Sequence, residues 1–125
     1  MFEIDNEKTI HLTSGDVAAL EISAVDKTGG AYTFAVGDVV RLKVVEKNRY
    51  DSVVLEKDVN IKVESLTAKI NLSSEDTRIG ELINKPKIYW YEIELNPDTA
   101  PQTIIGHDKK GPKQFCLYPE GDDSN

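Results

Sequence analysis

Glu92 and Glu94 lie two residues apart in Lys87-Ile88-Tyr89-Trp90-Tyr91-Glu92-Ile93-Glu94-Leu95, with Trp90 two residues before them. If this segment is a strand, all three side chains share one face, and the two carboxylates stand about 7 Å apart. That separation suits an inverting pair of glycosidase carboxylates. Alternating charge is, however, the ordinary pattern of a solvated strand face, and the pair is read as such. Loop carboxylates at Asp98, Asp108, Asp122 and Asp123 are the right hard ligands for calcium. None follows the spacing of a twelve-residue calcium loop, and aspartates in loops commonly make turns. No metal site is therefore assigned.

The remaining chemical groups are sparse. Cys116 is the single cysteine, which excludes an internal disulfide and a cysteine-based zinc site. It stands in Gln114-Phe115-Cys116-Leu117-Tyr118, where a small half-buried apolar side chain is expected. His11 and His107 are the only histidines, and no Cys-His-Asn set is argued from such sparse material. Gly29-Gly30 is followed by neither a helix nor a Lys-Ser/Thr pair, so it is no phosphate loop. The residues thus indicate no enzyme and no cofactor. Two surface features are left as partner contacts. One is the Trp90, Glu92 and Glu94 face; the other is the basic run containing His107, Lys109, Lys110 and Lys113. Tryptophan and tyrosine are enriched where proteins meet. An exposed tryptophan also stacks on sugar rings, so a carbohydrate-binding or adhesion module is the alternative.

These residues need a scaffold, and the pattern is that of short strands. Ser14-Gly15-Asp16 and Val36-Gly37-Asp38 each break one alternating run and open another. After the first come Ala18, Leu20, Ile22 and Ala24; after the second come Val40, Leu42 and Val44. Asp26-Lys27-Thr28-Gly29-Gly30 reads as a hairpin loop returning into a short strand, Ala31–Phe34. A strand begins at Val53 and extends toward Val63; others cover Ala68–Leu72, Lys87–Leu95, Thr103–Ile105 and Phe115–Tyr118. In Lys87–Leu95, the face bearing Tyr89, Tyr91, Ile93 and Leu95 is assigned to the core and Trp90 to the outside. Ser73 caps a helical turn expected over about residues 74–83, with acidic residues in its first turn.

Eight or nine strands with one helical turn predict an all-β, antiparallel immunoglobulin-like β-sandwich. It is expected to form a single domain over residues 1–118, followed by a polar, disordered tail at 119–125. The net charge of −7, with 22 acidic and 15 basic residues, opposes a nucleic-acid partner. No apolar stretch approaches the roughly 20 residues that cross a bilayer, and the first residues lack the pattern of a signal peptide. Cytoplasmic synthesis and no membrane insertion are expected.

The order of several short segments resembles a known group. Ile10-His11-Leu12-Thr13-Ser14-Gly15-Asp16 is followed by Tyr32, then Val36-Gly37-Asp38-Val39 and Leu42-Lys43-Val44. Further on come Ile70-Asn71-Leu72-Ser73-Ser74-Glu75-Asp76-Thr77 and Tyr89-Trp90-Tyr91-Glu92-Ile93-Glu94-Leu95. Over about residues 8 to 118 the chain resembles the N-terminal domain of upper baseplate proteins of phages of Gram-positive bacteria, together with short tail-associated relatives in Firmicute prophages. The resemblance implies an immunoglobulin-like sandwich, no catalytic residues, a place in the virion tail or baseplate, and other tail proteins or self-association as partners. The stretch Gly80–Pro86 departs from it, being longer than a single tight turn. No long C-terminal extension follows, so no direct host-binding role is implied.

Overall fold

The structure is a computed structural model that describes residues 2–4, 8–26, 28–46, 52–79, 85–106 and 113–119. The described strands are β1 (Phe2–Ile4), β2 (Ile10–Thr13), β3 (Ala18–Ile22), β4 (Val39–Val45), β5 (Val53–Asn60), β6 (Ala68–Leu72), β7 (Lys87–Leu95), β8 (Gln102–Ile105) and β9 (Lys113–Tyr118). A single helical turn, α1 (Ser74–Thr77), follows β6. The protein is all-β. One sheet runs β1-β2-β9-β7-β4-β5, with β8 also on β7, and the second pairs β3 with β6. No helix among the described residues is long and apolar enough to cross a membrane.

Period-two patterning decides which side chains face the core. Along β7 the buried residues are Tyr89, Tyr91, Ile93 and Leu95, while Trp90, Glu92 and Glu94 are half-buried on the opposite face. Val40, Leu42 and Val44 of β4 and Phe115 and Leu117 of β9 join the same interior. Leu20, Ile22, Ala68, Ile70 and Leu72 close it from the small sheet. Two strands alone are marginal in water, so β3 and β6 are held by this burial. Fully burying one such side chain stabilises by about 1.5–3 kcal/mol. Tyr91 is buried with its polar end satisfied, because its hydroxyl donates to the Lys8 carbonyl at 2.5 Å.

Both Gly-Asp segments are tight turns. The Asp16 amide donates to the Thr13 carbonyl and the Asp38 amide to the Ala35 carbonyl. Gly15 and Gly37 occupy the third turn position with φ of 87° and 99°. A side chain there is strained, which is why glycine stands at both places.

Four expectations need correction. The large sheet is mixed, because β2 pairs in parallel with β9. These strands lie near opposite ends of the chain and need no hairpin between them, so an antiparallel arrangement is not imposed. Residues 31–34 make no strand; instead they form two isolated bridges, Val25 with Ala31 and Phe34 with Ser65. Different neighbours at either end prevent a continuous ladder. β5 stops at Asn60 rather than reaching Val63. The helical turn spans only Ser74–Thr77, since Arg78 leaves helical geometry at φ −86° and ψ 66°. Ile79 is buried beyond it, and the expected continuation at 80–83 lies outside the described residues. Ser73 does cap the turn: its hydroxyl accepts from the Asp76 amide at 3.2 Å, and Asp76 Oδ2 accepts from the Ser73 amide at 2.9 Å.

Candidate interaction face

The outer face of the large sheet is built from four cross-strand rows. In the first, Asp58 of β5, Arg41 of β4 and Glu94 of β7 stand side by side. In the second the order is Glu56, Lys43 and Glu92. The third places Val53, Val45, Trp90 and Gln114 in line, and the fourth Ile88, Cys116 and His11. The face is therefore charged toward one end of β7 and apolar toward the other. Trp90 lies at the boundary, flanked in register by Val45, which is buried, and Gln114. Ile88, next outward, is 46% exposed. His11 and Tyr118 stack with ring centroids 6.1 Å apart, and His11 Nδ1 is 2.9 Å from the Tyr118 hydroxyl.

Arg41 organises the charged end. Its Nε donates to Asp58 Oδ1 at 2.7 Å and its terminal nitrogens reach Asp58 Oδ2 at 3.0 Å and the Asp98 carboxylate at 3.0 and 3.2 Å. One planar guanidinium thus grips two carboxylates in forked geometry. These bonds hold Asp58 below the usual carboxylate range. They also tie the turn after β7 to the edge strand β5.

Glu92 is the incompletely satisfied member of the face. One carboxylate oxygen, Oε1, is closed off from solvent without a hydrogen-bond partner. Burial pushes the Glu92 carboxyl up, Glu94 pushes it further, and Lys43 offsets part of this. Its other oxygen lies against Gly106: a methyl added there would come within 3.9 Å of Glu92 Oε2 and 2.7 Å of Thr103 Cγ2. An acid whose pKa is raised by folding binds its proton more tightly in the native state. Its favourable contribution is present at low pH and is lost as pH rises through the folded pKa. Glu92→Gln is accordingly expected to raise the melting temperature at pH 7 by about 1–3 °C. The gain should vanish near pH 4, where the wild-type carboxyl is protonated. A thermal-shift series over that range checks it; a lower melting temperature at pH 7 contradicts it.

Trp90, Glu92 and Glu94 come together as the alternation of β7 requires. Lys113 does not belong to an exposed basic run: it opens β9 opposite Tyr91 and is only 9% exposed. The signal was available, since 113, 115 and 117 alternate onto one face. His107, Lys109 and Lys110 lie outside the described residues. Asp98, considered for calcium, spends its carboxylate on Arg41, and Asp108, Asp122 and Asp123 lie outside the described residues. Cys116 is buried as a small residue of β9. Arg41, Asp58 and Asp98 were not singled out as a group by sequence reasoning, because their meeting depends on strand register. No family model matches the chain, and no curated protein or solved structure matches it either.

Proposed function

We propose that this chain is a non-enzymatic structural module of a phage or prophage tail or baseplate, acting in the virion through protein–protein contacts. The observation that carries this reading is the half-buried Trp90 with exposed Ile88 beside the charged end of the outer sheet face. Large aromatic groups offered this way are the anchors of protein interfaces. The ordered segments that resemble baseplate proteins supply the setting.

Strand order favours an immunoglobulin-like sandwich of the variable type. In that fold the second and fifth strands share one sheet, while the third, sixth and seventh share the other with an added edge strand. Here β3 and β6 pair alone, and β9-β7-β4-β5 run in the corresponding order with β2 parallel to the last strand. The antibody disulfide has no counterpart, since the chain has one cysteine.

The test is to induce the source prophage, purify tails and measure this chain in them by quantitative mass spectrometry. Incorporation is expected. Trp90→Ala should reduce it by about tenfold or more, with the melting temperature within about 3 °C of wild type, since the side chain is only partly buried. Absence of the chain from particles removes the virion role. Equal incorporation of the variant removes the Trp90 face. Glycan binding lost on Trp90→Ala would instead establish a carbohydrate-binding module.

A further inference from the structure

We infer that the outer face of the large sheet takes a cationic protein surface, one that sets arginine or lysine beside an apolar strip, and that it refuses the same face of a second copy. This rests on the Trp90 face being the contact surface, and it specifies the partner's chemistry.

Among the described residues, Glu56, Asp58, Glu92, Glu94 and Asp98 place five carboxylates on the face against two cations, Arg41 and Lys43, an excess of three negative charges. Arg41 is committed to Asp58 and Asp98. Glu92 Oε1 is closed off from solvent and has no hydrogen-bond partner, so it takes no direct part in the contact. Ile88, Trp90, Glu92 and Glu94 follow one another along β7 at about 7 Å steps. An arginine or lysine suits this succession: its aliphatic stem lies on the indole while its charged head meets the carboxylates. A cation beside Glu94 also offsets the Glu94 charge that helps raise the Glu92 carboxyl. Stacking two copies face to face sets one acidic excess against another, and like-charge juxtaposition across an interface is costly. Sliding one copy to avoid this puts Trp90 against carboxylates with no cation between.

Trp90 is the only tryptophan, so emission excited selectively from tryptophan reports this face alone. The probe is a deca-arginine peptide titrated at about 0.15 M salt, where charges beyond roughly 8 Å are screened. A saturable change in Trp90 emission is expected. E92Q/E94Q should weaken binding by about fivefold or more. E21Q/E64Q removes the same charge from exposed positions off this face and should leave binding within about twofold. Thermal melts confirm that both variants are folded, and E94Q alone serves if the pair is not. No binding, or equal weakening by both pairs, overturns the inference. So does a wild-type dimer in sedimentation that Trp90→Ala disrupts and K109E/K110E leaves intact, since the two copies would then meet through this face. Those results would leave the incorporation test of Trp90→Ala standing, so the partner's chemistry and the face itself fail separately.

Discussion

Thr77→Val should lower stability by about 2–3 kcal/mol, a fall of roughly 10 °C in melting temperature for a chain of this size. Thr77 is fully buried, and its hydroxyl sits among three backbone groups. It accepts from the Gly15 amide at 3.0 Å and lies 2.8 Å from the Asp16 carbonyl and 3.1 Å from the Ser74 carbonyl. Valine keeps the shape but supplies neither donor nor acceptor. The Gly15 amide and Asp16 carbonyl then lose a partner inside the protein, where the full desolvation cost is felt. Ser74 adds a second tie, donating from its hydroxyl to the Gly15 carbonyl at 2.6 Å. The turn so held carries the chain from β2 in the large sheet to β3 in the small one. Thr77→Ser keeps the hydroxyl and should cost only about 1 kcal/mol for the lost methyl. Equilibrium urea unfolding of both variants is the measurement. A valine variant as stable as wild type, or a serine variant that is the worse of the two, would refute the role given to the hydroxyl.

That contact shows what the sequence could and could not convey. Ser73 and the acids after it mark a helix start by local chemistry, and the capping box is there. Nothing local says that the last residue of that short turn reaches back 62 positions to Gly15. The same division holds on the candidate face. Alternation along β7 sends Trp90, Glu92 and Glu94 outward whatever the neighbouring strands are. Which charges meet them depends on β4 and β5 register, so the Arg41 clamp was hidden. The parallel pairing of β2 with β9 left no trace for the same reason. Lys113 differs: it ends a charge run that reads as exposed, while the alternation of 113, 115 and 117 turns it inward.

The segments that carry the resemblance are mostly framework. Ile10, Leu12, Ile70, Leu72, Tyr89 and Tyr91 are core; Gly15, Gly37 and Asp38 are turns; Ser73, Asp76 and Thr77 are cap and anchor. Such positions are constrained by backbone geometry and burial, so a likeness through them bears on architecture more strongly than on partner. Partner choice would be written on the outward residues between them, Arg41, Lys43, Glu92 and Glu94. This is why the face has to be tested by its own chemistry.

Asp38→Asn is the variant through which acid sensitivity should be read. Asp38 Oδ2 accepts from the Tyr32 hydroxyl at 2.7 Å and the Ala35 amide at 2.9 Å, and Oδ1 accepts from Asn96 Nδ2 at 3.2 Å. Asn96 in turn accepts from the Val39 amide at 2.8 Å, joining the entry of β4 to the turn after β7. Burial alone would raise the Asp38 carboxyl, but the bonds from Tyr32, Ala35 and Asn96 outweigh it and hold the group below its ordinary value. The hydrogen bond to the same carboxylate, with burial, pushes the Tyr32 hydroxyl up. A carboxyl depressed by folding stabilises above its unfolded pKa, and that stability is lost as pH falls through the folded pKa. An asparagine keeps the size and loses the charge. Its amide also sets one N–H group against a donor. The expected cost is about 2 kcal/mol at pH 7, shrinking as pH falls below about 4, where the unfolded carboxyl is protonated first, and gone once pH has fallen through the lower folded pKa. Asp58 and Asp76 are also held low. Wild type will therefore weaken in acid at several sites, and only its difference from the variant isolates Asp38. Unfolding free energies of the two proteins from pH 7 to pH 2.5 make the comparison. A difference that stays constant over that range would mean that the charge of Asp38 plays no part in holding the second Gly-Asp turn.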